Sequence, residues 1–315
     1  MNRLQFLKYC SFASASVGIP GLVHSIYETT AETDLFFNIS LAEWSLHRTL
    51  RAGKIDHLEF PVVAKKEFGI SAVEYVNQFF ADKAEDISYL NEMNSRCSDL
   101  GVDQLLIMVD GEGDLAGTNK KERRSAVEKH YKWVRAAQHL GCHSIRVNLF
   151  GDGNRADQKR AAVDSLGRLS EFAKDFDINI LVENHGGYSS DGKWLVDVMR
   201  EVGMKNCGTL PDFGNFCIQR KDGKGGDAPC IEEYNRYNGV KEMVPFAKAV
   251  SAKSYDFDET GRETTINFMK MGRIIRDADY TAHFGIEYEG SKLSEFEGIK
   301  ATKDLLVKVG KKLSQ

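Results

Sequence analysis

A chain of 315 residues that is 42% hydrophobic holds enough apolar material for one large α/β core, and no Pro-, Gly- or Ser-rich linker divides it into smaller domains. Its formal net charge of −4 creates no field that would attract nucleic acid or anionic lipid, so a small molecule is the expected partner. Six cysteines, Cys10, Cys97, Cys142, Cys207, Cys217 and Cys230, are scattered without a CxxC pair, which argues against structural zinc and reads as buried free thiols.

Residues 1–31 differ in character from the remainder of the chain. Asn2-Arg3-Leu4-Gln5-Phe6-Leu7-Lys8 leads into a small-residue, weakly apolar stretch and then a polar run, the parts of an export signal. The segment resembles a twin-arginine signal in which Leu4 replaces the second arginine, and it predicts a periplasmic protein. The apolar part is too short for a transmembrane helix.

From Phe36 a strand-then-helix rhythm sets in and runs to the end, predicting one domain over 36–312. Strands are expected at 36–41, 69–75, 105–110, 144–149, 179–183, 207–212, 249–254 and 283–287. Helices are expected at 45–52, 83–100, 121–140, 157–176, 265–277 and 294–309. Eight strand-helix units in succession predict a single (β/α)8 TIM barrel with its chemistry at the carboxyl ends of the strands. Between the elements, Asp110, Glu112 and Asp114 read as a solvated acidic loop. Lys221 to Asp227 reads as a mobile loop, a candidate lid.

Three of the apolar runs end in an acid: Glu183, Asp212 and Glu287. As parallel neighbours they converge at one rim, where their mutual repulsion calls for a divalent cation between them. His185 shares the strand face of Glu183, one step nearer the rim. It is a metal ligand, a substrate or proton-transfer group, or a histidine that orients Glu183.

The segments Ser40-Leu41-Ala42-Glu43-Trp44-Ser45, Gly69-Ile70-Ser71-Ala72-Val73-Glu74, Glu183-Asn184-His185-Gly186-Gly187, Asp212-Phe213-Gly214-Asn215, Ser251-Ala252-Lys253 and Gly285-Ile286-Glu287 together resemble the xylose isomerase-like barrel superfamily, within it the sugar phosphate isomerase/epimerase group. The resemblance implies a metal held by acids of the fifth, sixth and eighth strands, which Glu183, Asp212 and Glu287 match. It also implies a seventh-strand histidine, where this chain has Ser251, and Asn215 stands where many relatives carry a second histidine. Loss of imidazole nitrogen favours Mg²⁺ or Mn²⁺ over zinc. The implied activity is sugar isomerisation or epimerisation by proton abstraction next to a carbonyl, through an enediolate. Two alternatives stand beside it: a lyase or hydratase that eliminates from 3-keto glycosides, and a carbohydrate-binding barrel without turnover. A homodimer is common in such a family.

Other residues fit supporting roles. Glu183, Glu287, His185 and Lys253 are the catalytic candidates, Lys253 as a cation for an enolate oxygen, as a Schiff-base amine or as the ion-pair partner of a rim acid. Glu74, Arg146, Asn148, Trp44 and Asn215 are the candidates for substrate contact; an ion pair explains Glu74 and Arg146 equally, and core packing explains Trp44.

Overall fold

Each apolar run of the rhythm is a strand in the computed structural model, which describes residues 35–221 and 228–315. The barrel strands are β1 (Asn38–Ala42), β2 (Ala72–Val76), β3 (Asp103–Met108), β4 (Ser144–Val147), β5 (Asn179–Glu183), β6 (Cys207–Leu210), β7 (Val250–Ser254) and β8 (His283–Tyr288). They pair in parallel in the order β6-β5-β4-β3-β2-β1-β8-β7. Isolated parallel bridges, Thr209 to Ala247 and Asp212 to Ser251, join β6 to β7 and close the ring. The protein is a single (β/α)8 barrel. The expected export segment lies outside the described residues, as does most of the loop read as a lid.

The alternation of side chains along each strand sorts residues into two cores. Outward-facing Ile107, Ile145, Ile180, Val182 and Ile286 pack under the helices in the main cluster. Inward-facing Leu106, Met108, Leu181 and Leu210 form a smaller plug in the barrel, joined by Ala42, Val76 and Ala249. Toward the carboxyl ends the inward positions turn polar: Ser40, Glu74, Arg146, Glu183, Ser251, Lys253 and Glu287 are all buried. One glycine makes room among them. A Cβ on Gly285 would stand 2.6 Å from both carboxylate oxygens of Glu74, so glycine there lets Glu74 turn into the barrel.

The helices are α1 (His47–Arg51), α2 (Phe60–Phe68), α3 (Ile87–Leu100), α4 (Lys120–His139), α5 (Arg155–Lys174), α6 (Gly192–Val202), α7 (Arg236–Met243), α8 (Phe268–Arg276) and α9 (Glu295–Leu313). Most start where a side chain caps the open backbone N–H groups: Asp86, Asn119, Asn154, Asp191, Asn235 and Asn267 each accept from a residue two or three places on, and Ser294 with Glu297 forms a capping box. Helices α2, α6 and α7 were not expected from the sequence. No helix among the described residues is long and apolar enough to cross a membrane.

The cysteine reading needs correction. Cys97, Cys142 and Cys207 are buried and free as expected, but Cys217 and Cys230 form a disulfide across an antiparallel hairpin of Cys217–Arg220 with Cys230–Glu233. Two thiols 13 residues apart meet because the chain doubles back between them. Reduction under denaturing conditions is therefore expected to raise the titratable thiol count by two. An unchanged count would remove the bridge.

Candidate active site

Glu183 ends β5, Glu287 lies near the end of β8, and Asp212 sits just past β6, where its backbone bridges Ser251 on β7. One carboxylate oxygen from each of the three acids lies within 4.8 Å of the others, and all three residues are buried. The fold thus brings together the three acids that the sequence marks.

The surrounding groups hold each acid in place. Asp212 Oδ1 accepts from the backbone N–H groups of Gly214 (2.7 Å) and Asn215 (2.8 Å), so the turn after β6 is built around this carboxylate. Asn184 ties the same turn to β5: its Oδ1 accepts from Asp212 N (2.7 Å) and its Nδ2 donates to the Asp212 and Asn215 carbonyls, both at 3.0 Å. Glu183 Oε1 accepts from Asn215 Nδ2 (2.9 Å), and its Oε2 pairs with the Arg146 guanidinium, 2.9 Å from Nε. Lys253 Nζ is 3.0 Å from Glu287 Oε1, 3.4 Å from Glu289 Oε1 and 3.8 Å from Asp212 Oδ2.

Above these groups lies a layer in which Asn148 is still buried while Asp110 and His185 are half-buried. Asp110 Oδ1 receives Arg146 Nη1 (2.6 Å) and Asn148 Nδ2 (2.7 Å). That bond orients the Asn148 amide, leaving Asn148 Oδ1 to accept from His185 Nδ1 at 2.8 Å. Imidazole Nδ1 therefore carries the proton and Nε2 is the accepting nitrogen. Two left-handed glycines, Gly186 (φ 92°) and Gly187 (φ 62°), turn the chain away directly after His185. Across the mouth, Trp44 Nε1 donates to Glu289 Oε1 (2.6 Å), while its ring stacks on His47 with centroids 4.8 Å apart.

Burial sets the protonation preferences. It pushes Glu183 up to about 7 and Asp212 up to about 8, against the pull of Arg146 and Lys253. Burial lowers His185 to about 4, so the imidazole is neutral. Arg146 overrules burial at Asp110 and holds it below the ordinary carboxylate range. Desolvation opposes the charge on Lys253, but Asp212, Glu287 and Glu289 raise it well above the ordinary lysine value. Beneath the rim, burial lifts Glu74 to about 7; Ser40 Oγ donates to its Oε1 (2.6 Å), and its Oε2 is buried without a partner among the described residues.

The donor set fits a divalent cation. Asp110, Glu183, Asp212, Glu287 and Glu289 outnumber the two cations Arg146 and Lys253 that touch them. The Ser251 hydroxyl makes the excess concrete: it lies 2.6 Å from Asp212 Oδ2 and 2.9 Å from Glu287 Oε2, yet it has one proton to donate. A spread of 4.8 Å is what oxygens on opposite sides of one ion with bonds of about 2.0–2.6 Å would span. The oxygen-only set suits a hard cation.

The residues marked in the sequence divide by where the fold puts them. Arg146, Lys253, Asn148 and Asn215 all contact the acids or their neighbours. His185 stands outside the three-acid cluster, with Nδ1 committed to Asn148. Glu74 is sealed inside the barrel with 1% exposure, facing Ser40 rather than the mouth. Asp110, read as solvated, is half-buried and paired with Arg146, and Glu112 is bound to Trp133 Nε1 (2.7 Å) and Lys132 (2.8 Å). Sequence reasoning missed Glu289 and Asp110 as members of the site; each sits one alternation step beyond an inward position, Glu287 and Met108, and that was the available signal.

Solved structures share this architecture. A D-tagatose 3-epimerase-like protein is 17% identical, with a TM-score of 0.64 over 89% of this chain and 100% of its own. A xylose isomerase-like TIM barrel protein from Mycobacterium smegmatis in complex with magnesium is 14% identical, with a TM-score of 0.60 over 88% of this chain and 97% of its own. A 3-keto-D-glucoside 4-epimerase from E. coli is 13% identical, with a TM-score of 0.58 over 87% of this chain and 99% of its own. At these identities the likeness shows the fold. No curated protein matches the sequence. Residues 62–308 match the family described as xylose isomerase-like TIM barrel, and with most of its length inside that match the chain belongs to this family.

Proposed function

We propose that the barrel mouth is the active site of a sugar isomerase or epimerase that removes a proton from the carbon next to a carbonyl. The observation that carries this reading is the gathering of Glu183, Asp212 and Glu287 within 4.8 Å at the carboxyl ends of the strands, with Arg146 and Lys253 against them. Glu183, Asp212 and Glu287 would hold Mg²⁺ or Mn²⁺, which when bound polarises a sugar carbonyl and its neighbouring hydroxyl. Arg146 and Asn215 fix both oxygens of Glu183, so its carboxylate is oriented before substrate arrives. Glu183 and Glu287 are the candidate bases, and neutral His185 offers Nε2 to a hydroxyl or to the migrating proton. Lys253, held among three acids, supplies fixed positive charge beside the developing enediolate oxygen.

If a leaving group lies β to the carbanion, the same residues support elimination, the second reading for 3-keto glycosides. Among the described residues no Lys or Arg lines the cavity beside the rim, which favours a neutral sugar over a phosphorylated one. The Cys217–Cys230 disulfide supports the proposal that the protein works in an oxidising compartment such as the periplasm.

Incubation with Mn²⁺ or Mg²⁺, a panel of ketoses and 3-keto glycosides, and heavy water tests the chemistry. Deuterium is expected at the carbon beside the carbonyl; exchange should vanish with a chelator and return with added metal. Aglycone release would select the lyase. A protein that exchanges no proton from any member of the panel is not this enzyme.

A further inference from the structure

Beside the rim, on the β4–β5 side, the structure contains a cavity of about 310 Å³ that the proposed proton transfer does not use. We infer that it is a second sugar subsite, which makes the substrate a glycoside or disaccharide rather than a free monosaccharide. This inference rests on the sugar-processing reading of the rim and adds the substrate class.

Position is the first argument. Leu149 and Phe150 come directly after Asn148, and Gly186 to Tyr188 come directly after His185, so the cavity begins where the rim ends. The Phe150 and His185 rings stand 5.9 Å apart, centroid to centroid. A substituent on a sugar seated at the rim would pass from His185 onto Phe150.

Chemistry is the second. The walls combine the apolar surfaces of Phe150, Tyr188 and Ile218 with the hydroxyl-accepting groups of Asp114, Gln219 and Glu232. A pyranose ring has an apolar C–H face and a polar hydroxyl edge, and this lining offers a partner to both. Among the described residues no cationic side chain lines the cavity, and the nearby Arg155, stacked on Tyr188 at 4.9 Å, is paired with Asp191. An anionic ligand would meet Asp114 and Glu232 there. The volume lies at the low end of small-ligand pockets, about 300–1,000 Å³, and suits one ring.

Rigidity is the third. Phe150 is 43% exposed, yet its backbone is pinned: its carbonyl accepts from Ala116 N (2.9 Å), and Asp152 binds the Thr118 N–H and hydroxyl, each at 2.7 Å. The opposite wall is the hairpin closed by Cys217–Cys230, which carries Ile218 and Gln219 inside the bridged loop and Glu232 just outside it. An exposed aromatic ring on a fixed backbone facing a cross-linked wall binds with little ordering cost.

Isothermal titration calorimetry of the full chain with D-glucose and with cellobiose tests the subsite. Cellobiose is expected to bind about tenfold more tightly than glucose; Phe150→Ala should remove that advantage while changing glucose affinity little, and Ile87→Ala, an exposed apolar residue away from the cavity, should change neither. Equal affinities, an advantage that survives Phe150→Ala, or no cellobiose binding would overturn the subsite. A protein that prefers cellobiose but exchanges no proton keeps the subsite and loses the proposed chemistry, and the opposite result separates the two the other way.

Discussion

Glu183→Gln is expected to lower kcat/KM by about 10³-fold or more, roughly 4 kcal/mol of transition-state stabilisation. The amide differs from the carboxylate by one charge and by turning one acceptor into a donor. In the native site Glu183 Oε1 accepts from Asn215 Nδ2, and Oε2 lies 2.9 Å from Arg146 Nε as an ion pair. An amide that keeps its oxygen beside the Arg146 guanidinium turns its NH₂ toward the NH₂ of Asn215, and one that accepts from Asn215 turns its NH₂ toward the guanidinium. Either way a donor faces a donor in a buried site. The cluster also loses one of three anionic oxygens available to a divalent cation. The expected signature is therefore a joint loss of turnover and of Mn²⁺ affinity with the fold intact by circular dichroism. Turnover close to wild type at saturating Mn²⁺ would show that Glu183 is not part of the reaction.

Lys253→Met is the change with the largest expected effect on stability. The ammonium is 1% exposed and lies within 4.0 Å of Asp212, Glu287 and Glu289, so its removal leaves three acids facing one another without that counter-charge. Removing one member of a buried ion pair costs about 3–5 kcal/mol. For a barrel of this size that corresponds to a fall in Tm of roughly 5–9 °C. Because the acids that Lys253 neutralised include two of the three proposed to hold the cation, added Mn²⁺ should recover more of the lost Tm in this variant than it adds to the native protein. An unchanged Tm would mean that the acids are compensated elsewhere.

The acids at the strand ends were legible because a buried strand that ends in a carboxylate breaks its own pattern. Glu183, Asp212 and Glu287 each stand against an apolar background, and a parallel barrel places such residues at one rim. Asp110 was obscured by its neighbours: with Glu112 and Asp114 it looks like an ordinary polar loop, and only the register of β3 against β4 brings it to Arg146. The pairing of Cys217 with Cys230 depends on a hairpin after β6 that the strand-helix rhythm does not contain. Helix α6 did carry a local signal, with Asp191 as cap and Leu195, Val198, Met199 and Val202 at helical spacing, but a glycine- and serine-rich approach masked it. Lys253 was read as an enolate-steadying cation, a Schiff-base amine or the ion-pair partner of a rim acid, and its ammonium lies 3.0 Å from Glu287. Its ion-pair role was open in the sequence because separate strands contribute the groups around it.

The ring is thinnest where β6 meets β7, with isolated bridges in place of a continuous ladder and backbone bonds from Lys248 to Thr209, Ser251 to Pro211 and Phe213 to Ser251. Asp212 and Ser251 are themselves the hinge pins of that joint, and their side chains clasp across it. A substitution at Asp212 would therefore loosen the staves of the cask as well as the proposed metal site. The β4 and β8 walls, each stitched to neighbours on both sides, give an engineer safer ground.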